Sequence, residues 1–434
     1  MIGFTRIKDR LNSKFLSSLG WLGASEVVVR ITRLLTAIVL ARALGPTEFG
    51  IAALVITVNE LIRVFNRNGI SAKIIQCSES ELATICNTAY RVNFIFCFLL
   101  FVLQVGLAYP ISQWYEVPQL VSMLHLLALT YLLMPFALVQ AALILREQNM
   151  RSAALIDGGQ VAVDNLMTAI FALMGFGAWA IVLPKFLTSP IWVIGYRRAY
   201  LWKPSGGLFC FEQWKNVFSF GKYFLGIETL KAVRLNADNL IIGRLLGVEA
   251  LGLYYFAKNA GLGFSLTLTN SINIALYPNL CEVREDSREL ARRYKTNLRQ
   301  IALIVVPLLS LQAGLAYWYV PIIFGDHWVH AVPVLALLCL SAIPRAFAES
   351  SSALMMANER IKIDFNWNLF FTLCFVIAIV IGSMHSIEYV ALAYLIVFML
   401  CCPFYTIWAS RLNFSSTTKP VRSLQPPVTD NKSE

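Results

Sequence analysis

Long apolar runs, separated by short clusters of charge, proline and glycine, divide the chain into twelve segments. Each run has about 20 or more residues and lacks the alternation of polar and apolar positions that is typical of barrel strands. Because a bilayer core accepts only segments that satisfy their own backbone hydrogen bonds, the runs predict transmembrane helices and an all-α fold. The predicted spans cover residues 16–43, 49–70, 83–109, 119–145, 152–176, 177–197, 219–243, 250–280, 298–320, 332–357, 364–383 and 388–410.

The composition agrees with a polytopic membrane protein and excludes an ordinary soluble one. Of the 434 residues, 58% are hydrophobic and 14% are charged, whereas a soluble domain has about 45–50% and about 25%. The net charge of +11 does not indicate nucleic-acid binding, because the charges lie between the apolar runs. The nine cysteines are scattered without a CxxC pair, which predicts small buried side chains and neither a metal site nor a cofactor.

Lysine and arginine in the connections predict the orientation of the helices. If the N-terminus is cytoplasmic, 25 of these residues lie on the inner side, and only Arg42 and Arg244 lie on the outer side. Positively charged connections stay inside, so both termini are predicted to be cytoplasmic. The outer turn with Asp326, His327 and His330 offers three metal-ligand types, but without a fourth an interfacial polar turn is the better explanation.

The inner connection at residues 201–218 contains proline, serine and glycine, and predicts a linker between two lobes. The predicted domains are an N-terminal lobe at 1–200, a C-terminal lobe at 219–410 and a disordered cytoplasmic tail at 411–434. Within the linker, residues 208–218 predict either a short helix at the membrane surface or simply the start of the seventh span.

One internal repeat relates the two predicted lobes. The segment RALGPTEFGI at 42–51 matches RLLGVEALGL at 244–253, at an offset of 202 residues. The two copies share an arginine, a leucine and two glycines, and each lies after the first helix of its lobe. The match predicts two six-helix units of the same orientation, which is a transporter architecture. A tight turn that happens to recur is the simpler alternative.

Four segments carry a resemblance to a known family: LARALGPTEFGIAALV at 40–55, NGISAKIIQ at 68–76, DNLIIGRLLGVEALGLYYFAKN at 238–259 and FGDHWVHAVPVLALL at 324–338. This ordered set resembles the polysaccharide transporter family, the Wzx-type flippases within the superfamily of multidrug, oligosaccharidyl-lipid and polysaccharide exporters. The resemblance implies two lobes in a V shape around a central cavity, and an undecaprenyl-diphosphate-linked oligosaccharide as substrate. It further implies a bacterial inner-membrane location, contact with membrane lipid, and a polysaccharide polymerase and chain-length regulator as partners.

Ionisable residues inside predicted spans are expected to face protein or water, because each costs roughly 2.5–3.5 kcal/mol to insert. Four pairs have helical spacing that lets them neutralise each other: Glu60 with Arg63, Glu228 with Lys231, Arg234 with Asp238, and Arg345 with Glu349. For these pairs a structural role and a substrate role both stay open.

Other basic residues lack such a partner and are the stronger candidates for diphosphate binding. Glu26 can pair with Arg30, which leaves Arg33 as surplus positive charge on the same face. Lys185 and Lys258 have no partner along their own helices. The predicted substrate-binding residues are therefore Arg30, Arg33, Lys185 and Lys258, and Lys231 and Arg234 are predicted as a further basic pair at the site.

Carboxylates inside the membrane are candidates for proton or sodium coupling. The fifth span carries Asp157, Gln160 and Asp164 on one helix face, without a basic partner beyond Arg151 near its start. Asp157 is expected to lie at the inner interface, whereas Asp164 lies deeper. We therefore predict Glu26 and Asp164 as the ion-coupling residues.

These patterns together favour a flippase for lipid-linked oligosaccharides that works by alternating access, and not an enzyme. A cation-coupled multidrug exporter is the alternative that the acidic residues keep open. A membrane polymerase or ligase is disfavoured, because the longest predicted outer connection, 321–331, is too short for a catalytic domain.

Overall fold

The computed structural model describes residues 23, 25–66, 70–147, 149–204, 214–283, 286–358 and 360–414. In this part of the chain the regular structure is entirely helical, so the predicted all-α class is confirmed. The helices are α1 (25–43), α2 (Pro46–Arg63), α3 (Ile70–Gln76), α4 (Glu79–Tyr115), α5 (Gln119–Leu133), α6 (Pro135–Arg146), α7 (Met150–Leu173), α8 (Trp179–Ala199), α9 (Trp214–Leu245), α10 (Val248–Glu282), α11 (Ser287–Phe324), α12 (Val332–Ala357), α13 (Ile361–Ser383) and α14 (Ile387–Phe414).

Six of the described helices are long and apolar enough to cross a membrane, namely α4, α8, α11, α12, α13 and α14. A seventh candidate is the pair α5 and α6, which is bent by 56°. The sequence predicted one span at 119–145 here. The structure divides that range into two helices, because Pro135 begins a new helix and cannot supply the backbone N–H that a continuous helix needs.

Most other predicted boundaries shift by a few residues. The ninth span, predicted at 298–320, begins earlier as α11, where the Asp286 side chain accepts hydrogen bonds from two backbone N–H groups of the first turn. The surface helix considered at 208–218 falls mostly outside the described residues, and its described part from Trp214 onward is the continuous start of α9. Most of the predicted disordered tail also lies outside them, although α14 continues to Phe414.

Both copies of the repeat form tight turns between long helices. Gly45 precedes α2, whose first residue is Pro46. The backbone N–H of Gly45 donates a hydrogen bond to the Glu48 carboxylate at 3.0 Å. Gly247 precedes α10 with φ of 88°, a conformation that glycine adopts without strain. We call the end of the helix bundle where these turns lie the repeat end.

Helices pack largely within residues 25–204, the N-terminal half, and within residues 214–414, the C-terminal half. Contacts between α2 and α10 join the halves, as do contacts between α2 and α9. At the repeat end the fully buried Trp328 stacks on Phe256, with ring centroids 4.1 Å apart, and meets Phe49 edge-on at 5.0 Å. Aromatic burial therefore closes this end of the bundle.

At the opposite end, the connection after α6 is fixed to the end of α8. Tyr200 donates a hydrogen bond to the Glu147 carboxylate at 2.8 Å. This bond and burial raise the pKa of Tyr200, so the phenol stays a protonated donor at neutral pH.

Candidate functional site

The charged face of α1 is separate from its face packed on α7 and from its exposed apolar face. Ser25 and Thr36 donate to backbone carbonyls of α7, at 2.8 Å each, and define the packed face. At 3.6 residues per turn, the row Glu26, Arg30 and Arg33 lies about 100° from that face and about 130° from the exposed apolar row. That apolar row consists of Val27, Val28, Ile31, Leu34 and Leu35. The charges therefore point along a third direction, away from both the α7 contact and the exposed apolar row.

Arg30 and Arg33 differ in what they bind. Arg30 Nε donates to Glu26 Oε1 at 3.1 Å, which confirms the predicted pair, and both side chains are about half exposed. Among the described residues, Arg33 has no carboxylate within salt-bridge distance. Its guanidinium is exposed.

Lys258 is not an unpaired lysine, and this prediction is corrected. Its Nζ lies 2.6 Å and 2.8 Å from the two carboxylate oxygens of Asp238 and donates to the Leu235 carbonyl at 2.8 Å. Since an ammonium has three N–H donors, these contacts use them all. Asp238, which is 1% exposed, also accepts a hydrogen bond from Tyr254 at 2.8 Å. The partner lies on α9, so no helical spacing on α10 could reveal it.

Arg234 is likewise not paired with Asp238 as predicted. Its Nη1 donates to the Asn368 side-chain oxygen at 2.6 Å, and its guanidinium lies 6.0 Å from the centre of the Phe371 ring. This hydrogen bond to the amide oxygen of Asn368 uses one of the guanidinium N–H donors. Lys231, one turn away on α9, is exposed.

Asp164 and Lys185, predicted to act separately, are partners. Lys185 Nζ lies 3.5 Å from Asp164 Oδ2, longer than a close charge-assisted hydrogen bond. Asp164 Oδ1 is buried without a hydrogen-bond partner among the described residues. The whole predicted row on α7 faces α8, because Gln160 donates to Thr188 at 3.2 Å. The idea that this row lacks partners is therefore wrong.

The central charges share one depth. Arg33 lies ten residues from the repeat end of α1, and Lys258 ten residues from that end of α10, which is about 15 Å at 1.5 Å per residue. Arg234 and Asp164 lie at similar depths on α9 and α7. Half of a hydrocarbon core about 30 Å thick is the same distance. Arg33, Lys258, Arg234 and Asp164 therefore lie at similar distances along their helices from the repeat end, and we call these four residues the central layer.

Sequence reasoning missed one buried carboxylate, Asp364, because it lies at the edge of a predicted span. It accepts hydrogen bonds from Tyr405 and from Ser352, the latter at 2.9 Å. Asp157 is held in the same way between α7 and α8, where the Tyr196 hydroxyl lies 3.0 Å from both of its oxygens. The available signal was an Asp in the fifth predicted span of each half, followed by a Tyr near the end of the sixth span or helix.

A polar groove of about 630 Å³ lies at the far end from the repeat turns, between α10 and α11. Its basic residues are already engaged, since Arg293 bridges Glu282 and Glu289, and Arg292 pairs with Glu289. None of the predicted substrate-binding residues lines it. We therefore place the candidate site in the central layer and not in this groove.

Known proteins resemble the chain over most of its length. Residues 39–333 match the model of a family described as "Polysaccharide biosynthesis protein". The chain is 25% identical to the lipopolysaccharide biosynthesis protein WzxC of Escherichia coli K12, over 86% of this chain and 76% of that protein. It is 22% identical to the succinoglycan biosynthesis transport protein ExoT of Rhizobium meliloti, over 76% of this chain and 67% of that one.

Two solved structures share the fold at low identity. The lipid II flippase MurJ, in an inward closed conformation, superposes with a TM-score of 0.74 at 12% identity, covering 91% of this chain and 88% of that one. An inward-facing multidrug transporter of the MATE family gives 0.73 at 12% identity, covering 89% and 96%. At such identity the likeness establishes the fold alone.

Proposed function

The chain belongs to the polysaccharide biosynthesis protein family, and on that premise we propose that it flips undecaprenyl-diphosphate-linked oligosaccharides across the bacterial inner membrane. The names of WzxC and ExoT, one assigned to lipopolysaccharide and the other to succinoglycan transport, support a role in surface polysaccharide assembly. The exported unit is a repeat of an O-antigen, a capsule or an exopolysaccharide. The observation that carries the proposal is the exposed guanidinium of Arg33, which has no salt-bridge partner among the described residues and lies in the central layer with Arg234.

The proposed architecture has twelve spans in two lobes, 1–200 and 219–410, with both termini in the cytoplasm. The 25 basic residues assigned to inner segments, against Arg42 and Arg244 outside, support this orientation. It places the repeat end at the periplasmic face. The lobes then alternate between opening toward the cytoplasm and opening toward the periplasm, with the binding layer between them.

Arg33 and Arg234 are the proposed centre of diphosphate binding, joined by Arg30, Lys231 and Lys185. A guanidinium presents a planar fork of donors to phosphate oxygens, and the low dielectric of the membrane strengthens such contacts. Lys258 serves instead to neutralise Asp238, because its donors are already engaged.

Asp164 remains the proposed coupling carboxylate, since its contact with Lys185 is loose and one oxygen is unsatisfied. A proton or a cation at that oxygen would release Lys185 for substrate. Glu26, which holds Arg30, is the second candidate. A polysaccharide polymerase and a chain-length regulator are the proposed protein partners, because they act on the unit after it is flipped.

The main alternative is a cation-coupled multidrug exporter, a class represented among the proteins of similar fold. A site for cationic drugs would favour carboxylates over an unpaired arginine. A membrane polymerase or ligase needs an outer catalytic domain, and the connection after α11 is only a short helix, Asp326–Ala331.

Substitution of Arg33 tests the proposal. Arg33→Ala removes a bidentate, always-charged donor, so we expect surface polysaccharide to be lost at normal protein level. Arg33→Lys keeps the charge and should retain part of the export. A hydrogen bond to a charged group contributes roughly 1.5–3 kcal/mol, which is about ten- to a hundredfold in affinity. The measurement is surface polysaccharide in a strain that lacks its own copy, complemented by each variant.

Arg299→Ala is the matched control, because this exposed arginine lies near the far end of α11, away from the central layer. It should complement fully. Full complementation by Arg33→Ala and Arg234→Ala, with membrane levels equal to wild type, would contradict diphosphate binding in this layer and favour the multidrug exporter.

A further inference from the structure

Gly50 and Gly252, near the end of each copy of the repeat, meet the opposite half of the protein in a reciprocal contact. A Cβ atom built on Gly50 would lie 1.8 Å from the carbonyl oxygen of Val248, and one built on Gly252 would lie 1.7 Å from that of Pro46. Gly50 and Gly252 are 202 residues apart, as are Pro46 and Val248. Each glycine therefore packs on the backbone at the start of the other helix, as a two-fold axis between the halves requires.

The two arginines of the repeat also reach across, again reciprocally. Arg42 donates to the carbonyls of Ile322 and Ile323, at 2.8 Å and 2.9 Å, at the end of α11. Arg244 lies 3.5 Å from Glu116 at the end of α4, and its guanidinium is 5.2 Å from the centre of the Trp114 ring. Arg42 thus contacts the repeat end of α11, and Arg244 contacts the repeat end of α4. In each half, this is the first helix after the repeat that is long and apolar enough to span a membrane.

Further polar contacts surround these reciprocal ones. The Ala41 carbonyl accepts from Trp328 Nε1 at 2.7 Å, and His327 Nε2 lies 2.8 Å from the same oxygen. Deeper in the bundle, Asn239 donates to the Thr57 hydroxyl at 3.0 Å. The acceptors at the repeat end are mostly main-chain carbonyls, so the halves dock there through short, directional contacts.

We propose that the two copies of the repeat, residues 42–51 and 244–253, form the outer gate of the transporter, a reciprocal lock that opens once per cycle. This inference rests on the proposed function, because alternating access needs one end closed while the other is open. Arg33 lies about 15 Å below the lock, so its closure shields the binding layer from the periplasm. Glycine at both positions is required, since any side chain would hold the two backbones apart.

A single reporter cysteine tests the gate by a readout that does not depend on polysaccharide export. Ala37 lies on the charged row of α1, one turn from Arg33 toward the repeat end. In a chain whose nine cysteines are replaced by alanine, Ala37→Cys is labelled from outside the cell with a membrane-impermeant maleimide. We expect Gly50→Ala or Gly252→Ala to raise the labelling rate by at least about tenfold, because the closed state is disfavoured.

The controls are Gly106→Ala and Gly314→Ala, on α4 and α11, where an added Cβ meets nothing within 4 Å. Both should label at the background rate. If a gate glycine variant does not reach the membrane, the Arg42→Gln/Arg244→Gln double variant decides, because both side chains are exposed and their loss leaves the packing intact. It should also raise labelling.

Unchanged labelling in the variants that do reach the membrane would overturn the gate. The proposed function is tested separately, by complementation with the unsubstituted chain. If that chain fails to restore polysaccharide while the glycine variants still expose the reporter, then the gate stands and the substrate assignment fails.

Discussion

Lys258 and Arg33 lie at one depth, yet they have opposite surroundings. Lys258 donates to three protein acceptors and neutralises Asp238, which is almost completely buried. Arg33 is exposed and has no ion pair among the described residues. A lone buried charge is costly, whereas an exposed one is solvated. The two residues should therefore respond differently to the same substitution.

Lys258→Met is expected to destabilise the protein by roughly 3–5 kcal/mol, because it leaves the Asp238 carboxylate buried without its counter-charge. Lys258→Met/Asp238→Asn should recover most of that loss, since the neutral amide can still bond to Tyr254. Thermal unfolding of the protein purified in detergent measures both. Arg33→Met is the comparison, with an unchanged unfolding temperature and lost export. A Lys258→Met protein that is as stable as wild type but inactive would contradict the structural role and indicate that Lys258 binds substrate.

Pairs within one helix could be predicted from sequence, and pairs between helices could not. Spacing correctly predicted that Arg30 pairs with Glu26 and Arg345 with Glu349, because the helical period fixes which side chains are neighbours. Spacing failed for Asp238, whose partner comes from another helix. Which helices become neighbours depends on the packing of the whole chain, which local spacing does not encode.

Asp157, Gln160 and Asp164, the polar row of α7, join this helix to α8. Asp157 accepts hydrogen bonds from Tyr196 and Trp192, and Asp164 meets Lys185. The sequence predicted that these side chains share a face but assigned no partner. The same Asp–Tyr pairing recurs between α13 and α14. The recurrence favours a structural role for Asp157, which pins the last hairpin of its half.

Tyr196→Phe tests that role. The variant loses the hydroxyl that donates to a carboxylate, which is worth roughly 1.5–3 kcal/mol, while the Trp192 bond remains. We expect a lower unfolding temperature of the purified protein and retained export. Tyr389→Phe, on the exposed face of α14, should change neither. Lost export at unchanged stability would identify Asp157 as a coupling group instead.

In the molecule as a whole, the polarity of a helix is related to where the helix lies in the bundle. In the part of the chain that the structure describes, the helices α1, α2, α7, α9 and α10 are absent from the set that is long and apolar enough to span a membrane on its own, and three of them, α2, α9 and α10, pack across the two halves. A helix that faces protein or a water-filled cavity can keep charges that lipid would exclude. Total hydrophobicity therefore predicted the class of protein, while the role of each helix required the structure.

The charge of the substrate gives the molecule a driving force. A diphosphate carries about two negative charges, and an inside-negative potential of 100 mV favours outward movement by roughly 2.3 kcal/mol for each. Outward flipping would then be downhill by about 4–5 kcal/mol without any ion exchange. That corresponds to a shift of about a thousandfold in the distribution of the lipid across the membrane.

Reconstituted vesicles with a potassium diffusion potential test this driving force, using undecaprenyl-diphosphate-linked oligosaccharide as the probe. We expect the fraction of flipped lipid to increase with an inside-negative potential and to approach equal distribution when the potential is clamped at zero. Arg33→Ala vesicles control for leakage, because they keep the bilayer and lose the binding layer. Flipping that ignores the potential but requires a proton or sodium gradient would exclude uniport. In that case the loose Asp164–Lys185 pair becomes the coupling site to substitute first, with Asp164→Asn expected to abolish the gradient dependence, and Glu26 is the next carboxylate to change.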